Sequence, residues 1–404
     1  MSDLLDKLVK ITPDEGLKQN ALEGVKIIGF PTTKVERWKY TSLRSLEKKS
    51  LEQEQELEQV GAVMYPGFEH STHLRFDNGV LQEITDSIDS DLEIIPLEAP
   101  MLPVNQYRAE KDVFACLNVS QSESGWDVKV KADKSIMLST TTSTNYTGSS
   151  HPCIYIEVES GVTLNIYDLN YDYGDGLINW LQNIQLGENA VVNHYIHKSN
   201  QSSAVIHRCD VTVNKNATYN CYVLDTGGKL NKQDINVSLV DDDASCEIHG
   251  VGVMGEKDHS DWRTQISHVH PNTNSSESFK ILADSTGTGC FNGKIHIYPG
   301  ADNSHSSLET GNLLTGDQAR VNIKPELEIY AEEVTASHGA TVGQIDEGSL
   351  FYMQARGIPV EEATSLLKYA FLAEPLENIN DDNVKEIMLF ALKNKCDSLQ
   401  ENYE

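Results

Sequence analysis

The chain has 404 residues, 39% of them hydrophobic, with 32 basic against 61 acidic side chains and a formal charge of −29. At roughly 150 residues per domain this length predicts two or three domains with ample core. The acidic excess argues against nucleic acid or an anionic membrane surface as a partner, since both need clustered Lys and Arg.

No apolar run approaches the ~20 residues of a membrane helix. Met1-Ser2-Asp3-Leu4-Leu5-Asp6 lacks the basic start and apolar block of a secretory signal, so a cytoplasmic location is expected. The seven cysteines include no CxxC pair, which predicts buried thiols rather than disulfides or a four-cysteine metal site.

Residues 1–95 read as mainly helical. Thr12 is placed to cap a helix with Pro13 at its first position and Asp14 and Glu15 in the first turn, and Leu17, Ala21, Leu22 and Val25 supply the apolar stripe. Gly29-Phe30-Pro31 ends it, and a second segment carries Trp38, Leu43 and Leu46. The Glu/Gln/Leu run from Leu51 to Glu58 reads as a solvated helix face or linker. Asp77-Asn78-Gly79 between short apolar runs signals a hairpin over His73 to Ile84.

From about residue 112 to 345 Val, Ile, Thr, Ser, Asn and Tyr dominate, and four ungapped segments repeat. They open at Gly161, Asn189, Asn216 and Asp243, spaced 28, 27 and 27 residues apart, and reach Tyr167, Tyr195, Tyr222 and His249 at the same offset. Gly, Asn and Asp tolerate a left-handed turn residue. A short strand precedes each turn and another follows. This period predicts one coil of a β-solenoid per repeat, with the four opening residues stacked at one corner and the aromatic positions forming a ladder. An antiparallel sandwich gives no reason for the constant register.

After Gly343 helical periodicity returns. Asp346 caps one segment that Gly357 closes, Ala363, Leu366, Leu367, Ala370 and Phe371 mark the apolar face of the next, and Asp381 to Leu399 forms a third. These helices are too few for a core of their own, so one face is expected to serve another chain. The division is then 1–95 helical, 96–345 solenoid and 346–404 helical.

No nucleotide-binding glycine loop and no nucleophile elbow occurs. Among thirteen histidines, the pairs His194/His197 and His268/His270 invite a metal reading, although strand alternation generates such pairs by chance. His338, in Ser337-His338-Gly339-Ala340-Thr341-Val342-Gly343 where solenoid gives way to helix, is the better metal ligand candidate, with Glu332 and Glu333 close in sequence. The alternative for His338 is a capping role at the junction.

Several blocks carry a resemblance. Gly29-Phe30-Pro31-Thr32 with Glu36-Arg37-Trp38-Lys39-Tyr40-Thr41, Phe291-Asn292-Gly293-Lys294-Ile295, Asn312-Leu313-Leu314, and Pro325 to Val334 are similar to successive blocks of the SufB/SufD family of iron–sulfur cluster assembly proteins. Ser337 to Asp346, Leu350-Phe351-Tyr352, Arg356-Gly357-Ile358 and Glu362-Ala363 resemble its C-terminal block. The Ser-His-Gly-Ala-Thr-Val-Gly form is that of SufD members, where SufB members have His-Glu-Ala-Thr.

The resemblance implies a mainly β fold, a right-handed parallel β-helix flanked by helical N- and C-terminal regions. It implies a non-catalytic scaffold that pairs with SufB through the β-helix and docks the ATPase SufC through the C-terminal helices. A nascent iron–sulfur cluster or iron is then shared with SufB, no nucleotide binds this chain, and an isolated homodimer is possible. A SufD histidine that contributes to the cluster matches His338; the cysteine many members carry two residues earlier is Ala336 here. The competing classes are an interaction protein without a metal role and a β-helix enzyme acting on acidic polysaccharide, which the charge of −29 disfavours.

Overall fold

A computed structural model describes residues 2–13, 16–52, 56, 58, 68, 71–85, 90–97, 102–123, 125–200 and 202–399. Two sheets of ten strands face each other across one apolar core. The first contains β1 (Thr72–Asp77), β2 (Val80–Thr85), β5 (Lys134–Thr142), β8 (Thr163–Asp172), β10 (Val191–Asn200), β12 (Thr218–Asp225), β14 (Ser245–Met254), β16 (Asn274–Ala283), β18 (His305–Leu314) and β20 (Thr335–Gly343). The second contains β3 (Leu92–Pro96), β4 (Gly125–Val130), β7 (Cys153–Val158), β9 (Leu177–Leu186), β11 (Ala204–Val213), β13 (Leu230–Leu239), β15 (His259–His268), β17 (Thr288–Ile297) and β19 (Arg320–Ile329), with the short β6 (Ser149–Ser150) beside β9.

From β7 onward the chain alternates between the sheets, and each strand pairs in parallel with the one a coil earlier. This is the expected parallel β-solenoid.

The repeat register holds. Gly161, Asn189, Asn216 and Asp243 all have positive φ (75°, 58°, 54° and 57°), and Asn272, Asn303 and Glu333 extend the row. Five of these turn residues donate their N–H to the next coil, as in Gly161 to Glu188 O at 2.8 Å and Asn189 to Lys215 O at 2.9 Å. The aromatic ladder is also present. Tyr167, Tyr195, Tyr222 and His249 stack with centroids 5.6, 5.6 and 5.1 Å apart, as parallel strands at ~4.8 Å with ring tilt require.

Helices cover the outer faces. α1 (Ser2–Leu8), α2 (Gly16–Ile28), α3 (Arg44–Glu47), α4 (Val104–Ala109) and α5 (Val113–Gln121) gather with a 3₁₀ turn at Glu36–Trp38 over Leu181, Ala204 and Ile206 of the second sheet. The helix expected from Thr12 is described from Gly16, and Asp14 and Glu15 lie outside the described residues, as do four of the eight residues from Leu51 to Glu58. The hairpin at Asp77-Asn78-Gly79 forms as expected, with Asn78 and Gly79 at φ 53° and 82°.

α5 lies where composition indicated strand. All nine of its residues are buried, so it has no polar face and no helical stripe to read, and its one local signal is Asp112, which caps it through the N–H groups of Phe114 and Ala115.

At the other end α6 (Glu347–Ala355), α7 (Val360–Ala373) and α8 (Asp382–Ser398) follow the last coil; the Asp346 cap forms as expected, and Asp381 caps α8. α7 and α8 lie on the aromatic ladder. Tyr167 donates to Asp381 at 3.0 Å and Tyr222 to Asn378 O at 2.9 Å. The face of α7 turned to the solenoid differs from expectation: Ala363, Ser365, Lys368 and Leu372 are buried, while Leu366 and Ala370 are exposed. A buried ion pair between Lys368 and Asp284 sets that rotation. No helix among the described residues is long and apolar enough to cross a membrane.

Candidate functional site

Parallel register carries one column of side chains through the interior of the first sheet: Ile166, His194, Cys221, Ile248, Glu277, Leu308 and, in the last strand, His338. Leu308 is fully buried, whereas His338, one coil further, is exposed. His338 therefore occupies a core-facing position in a coil with no successor. β19 is only half-buried along its length, β20 is largely exposed, and each forms an unpaired edge. The opposite end is different, because there the antiparallel strands β2 and β3 finish the sheets. An open pair of parallel edges over an uncovered core is a surface that proteins normally cover or pair.

The other expected donors do not gather at His338. Glu333 is the positive-φ corner residue of its coil, and Glu332 N–H donates to Asp302 Oδ1 at 2.9 Å. Both precede β20, at the corner of the coil, whereas His338 is the fourth residue of that strand. All seven cysteines are buried. Burial pushes the thiols of Cys153, Cys221 and Cys290 up to about 12, so they are inert as thiolates. Glu277, two positions deeper in the column, is buried with neither carboxyl oxygen hydrogen-bonded, and burial raises its pKa to about 8.

The two histidine pairs are separated. His194 points into the core, 2.9 Å from Tyr219 Oη and 3.5 Å from Asp168, while His197 lies on the outer face, 2.8 Å from Tyr171 Oη. Both ring nitrogens of His268 are taken by the Thr273 and Ser275 hydroxyls. His270 turns instead to Asp242 at 3.1 Å, and with Asp241 these donors form the single group of three within 4.8 Å among the described residues. Sequence reasoning missed this corner; the signal was an acidic turn one coil ahead of a histidine.

A second surface lies on the C-terminal helices. Phe351 and Tyr352 of α6, Leu366 of α7 and Phe390 of α8 are 72%, 59%, 39% and 65% exposed, more large apolar surface than scattered residues explain.

Comparison with known proteins matches residues 139–371 to the model of the SUF system FeS cluster assembly, SufBD core domain. The chain is 31% identical over 210 residues to the iron–sulfur cluster assembly protein SufD of Escherichia coli (strain K12), covering 52% of this chain and 47% of that protein. It is 29% identical over 242 residues to protein ABCI7, chloroplastic, of Arabidopsis thaliana, covering 59% and 51%. Over 265 residues it is 28% identical to the SufD protein of Bacillus subtilis (strain 168), covering 61% and 57%. The chain spans about half the length of the curated relatives it matches first. The solenoid, its register and these matches agree, and the chain belongs to the SufBD core family of iron–sulfur cluster assembly proteins.

Proposed function

We propose that this chain is a non-catalytic scaffold of cytoplasmic iron–sulfur cluster assembly. It pairs through the open end of its solenoid with a homologous solenoid subunit of the SufB type, and it holds an ATPase subunit of the SufC type on its C-terminal helices. Iron or a nascent cluster is the cargo at the shared end, and His338 supplies one imidazole to it. The observation that carries this reading is the exposed, core-facing position of His338 between two unpaired parallel edges. A second solenoid adding to those edges would bury His338 in a joint otherwise made of backbone hydrogen bonds and apolar side chains. Imidazole is a competent ligand for iron, and further thiolate or carboxylate ligands then come from the partner.

The test is His338→Ala in the co-expressed complex, followed by size-exclusion chromatography, iron content and visible absorbance. An assembled complex without cluster absorbance supports the reading. Normal cluster yield removes the metal role and leaves a pure interaction protein, and loss of the complex makes His338 a structural cap.

A further inference from the structure

The N-terminal motif that carries part of the family resemblance touches the open end through Glu36, which accepts from Lys324 of β19 at 2.7 Å. Its residues Phe30, Arg37 and Trp38, with Phe114 of α5, wall a cavity of 420 Å³ above Arg208 and Lys232 on the outer face of the second sheet. That volume lies in the ~300–1,000 Å³ range of small-molecule sites. The three rings form one wall, with Phe114 5.5 Å from Phe30 and 5.3 Å from Trp38.

The cations beneath are built in. Arg208, 4% exposed, donates from Nη1 to Asp112 at 2.8 Å and from Nε to Asp210 at 2.8 Å, and its plane lies over the Tyr107 ring. Glu110 also lies 2.8 Å from Nη1. Nη2 is buried and has no acceptor among the described residues. Lys232, 2% exposed, sits 3.2 Å from Asp234 and 3.4 Å from Asp261 without a well-aligned hydrogen bond, and 5.2 Å from the centre of the Trp38 ring. Asp112, Asp210 and Asp234 hold these cations in place but leave the Nη2 donor of Arg208 unused. A buried guanidinium N–H is unfavourable without an acceptor, and one oxygen of a carboxylate or phosphate would supply it to Nη2.

The geometry points to a small-molecule site in this cavity for a carboxylate or phosphate carried on an aromatic or aliphatic body. Arg208 takes the anion, and Phe30, Trp38 and Phe114 cover the body. The site stands apart from the scaffold role and does not depend on it.

The probes are phenyl phosphate and benzoate, titrated into the full chain by calorimetry and ligand-observed NMR, with phenol and inorganic phosphate as comparators. At least one aromatic anion is expected to bind at millimolar concentration or below and to weaken about tenfold in Arg208→Gln, the loss of one charged hydrogen bond. Because Arg208 belongs to an ion-pair network, Val35→Trp supplies an independent variant. Val35 lines the cavity and is 45% exposed, so a large ring there obstructs the site without entering the core. Preference for phenyl phosphate or for benzoate identifies the anion class. The proposal is overturned by no binding of either aromatic anion at millimolar concentration, by phenol binding as tightly as the preferred aromatic anion, or by unchanged binding in both variants. Inorganic phosphate matching the preferred aromatic anion overturns it as well, since the rings then contribute nothing.

Discussion

Lys368 Nζ lies 2.7 Å from Asp284 Oδ2, and the two side chains are 2% and 0% exposed. This pair joins α7 to the end of β16, and Thr315 Oγ1 donates to the same carboxylate. Lys395 with Asp258 at 3.1 Å and Lys280 with Glu374 add more exposed links between the same two layers. The C-terminal helices are therefore fastened to the solenoid by a buried charge pair as well as by the apolar contacts over the aromatic ladder.

Removing one partner of a buried pair leaves the other charged and uncompensated, which costs about 3–5 kcal/mol, whereas surface pairs contribute about 0–1. Lys368→Ala is therefore expected to release α7 and α8 while the solenoid persists. Hydrogen exchange should show early loss of protection over residues 360–398 and unchanged protection in β9, β11 and β13 of the opposite sheet. Uniform loss across the whole chain would contradict this.

The corner turns give a second test. Asn216 has φ 54°, a conformation that costs a side chain with a Cβ roughly 1–2 kcal/mol and glycine nothing. Its side chain also donates to Asn189 at 3.1 Å. Both Asn216→Gly and Asn216→Ala lose that bond, so comparing them isolates the backbone. The glycine variant should exceed the alanine variant by about 1 kcal/mol in urea unfolding. Equal stabilities would mean the corner relaxes.

Those corners explain why the solenoid was legible in the sequence. Gly, Asn and Asp fill six of the seven corner positions, the coil length is nearly constant, and the ladder residues occupy one offset, so three signals coincide at Asn189, Asn216 and Asp243. His338 was legible as a junction residue, but its core-facing direction follows from strand register back to Leu308, which the sequence does not print. α5 was hidden because a helix buried on every side has no polar face. The buried side of α7 was misread because Lys368 counts as polar until Asp284, 84 residues earlier in the chain, is brought beneath it.

The docking role of the C-terminal helices is best tested by point substitution. Deleting α7 and α8 would strip the cover from Tyr167, Tyr195 and Tyr222, so a loss of binding would carry no information about docking. Phe351, 72% exposed on a helix with no buried residue, is free of that objection. Phe351→Asp should leave thermal stability within ~0.5 kcal/mol of wild type, as surface substitutions do. It should weaken co-purification of the ATPase subunit by tenfold or more if the ring is a binding hot spot. Undiminished co-purification would move the docking surface elsewhere.

Buried titrating groups set the expected pH dependence. Burial pushes His151 down to about 3 and His197 and His268 to about 4, each from an ordinary 6.5. Between about pH 4 and 6.5 the unfolded chain binds protons these folded histidines refuse, so they make stability rise with pH. Burial acts oppositely on the carboxyls, raising Glu277 from 4.5 to about 8 and Asp172 from 3.8 to about 7. The folded state keeps protons that the unfolded chain has released, so from about pH 4 to 8 these two make stability fall as pH rises. Below pH 6.5 the histidines offset the carboxyls; above it the carboxyls dominate until Lys198, which burial pushes down to about 8, begins to oppose them. The expected profile has its maximum near pH 6 to 6.5 and declines toward pH 8, with Glu277 contributing on the order of 2 kcal/mol of that decline. Urea midpoints at pH 6.5 and 8 for wild type and Glu277→Gln measure its share, because glutamine keeps the neutral shape without the titration. The variant should lose less stability than wild type over that interval. An identical decline in both proteins would show that Glu277 is already ionised in the folded state at pH 6.5 and that the fall arises elsewhere.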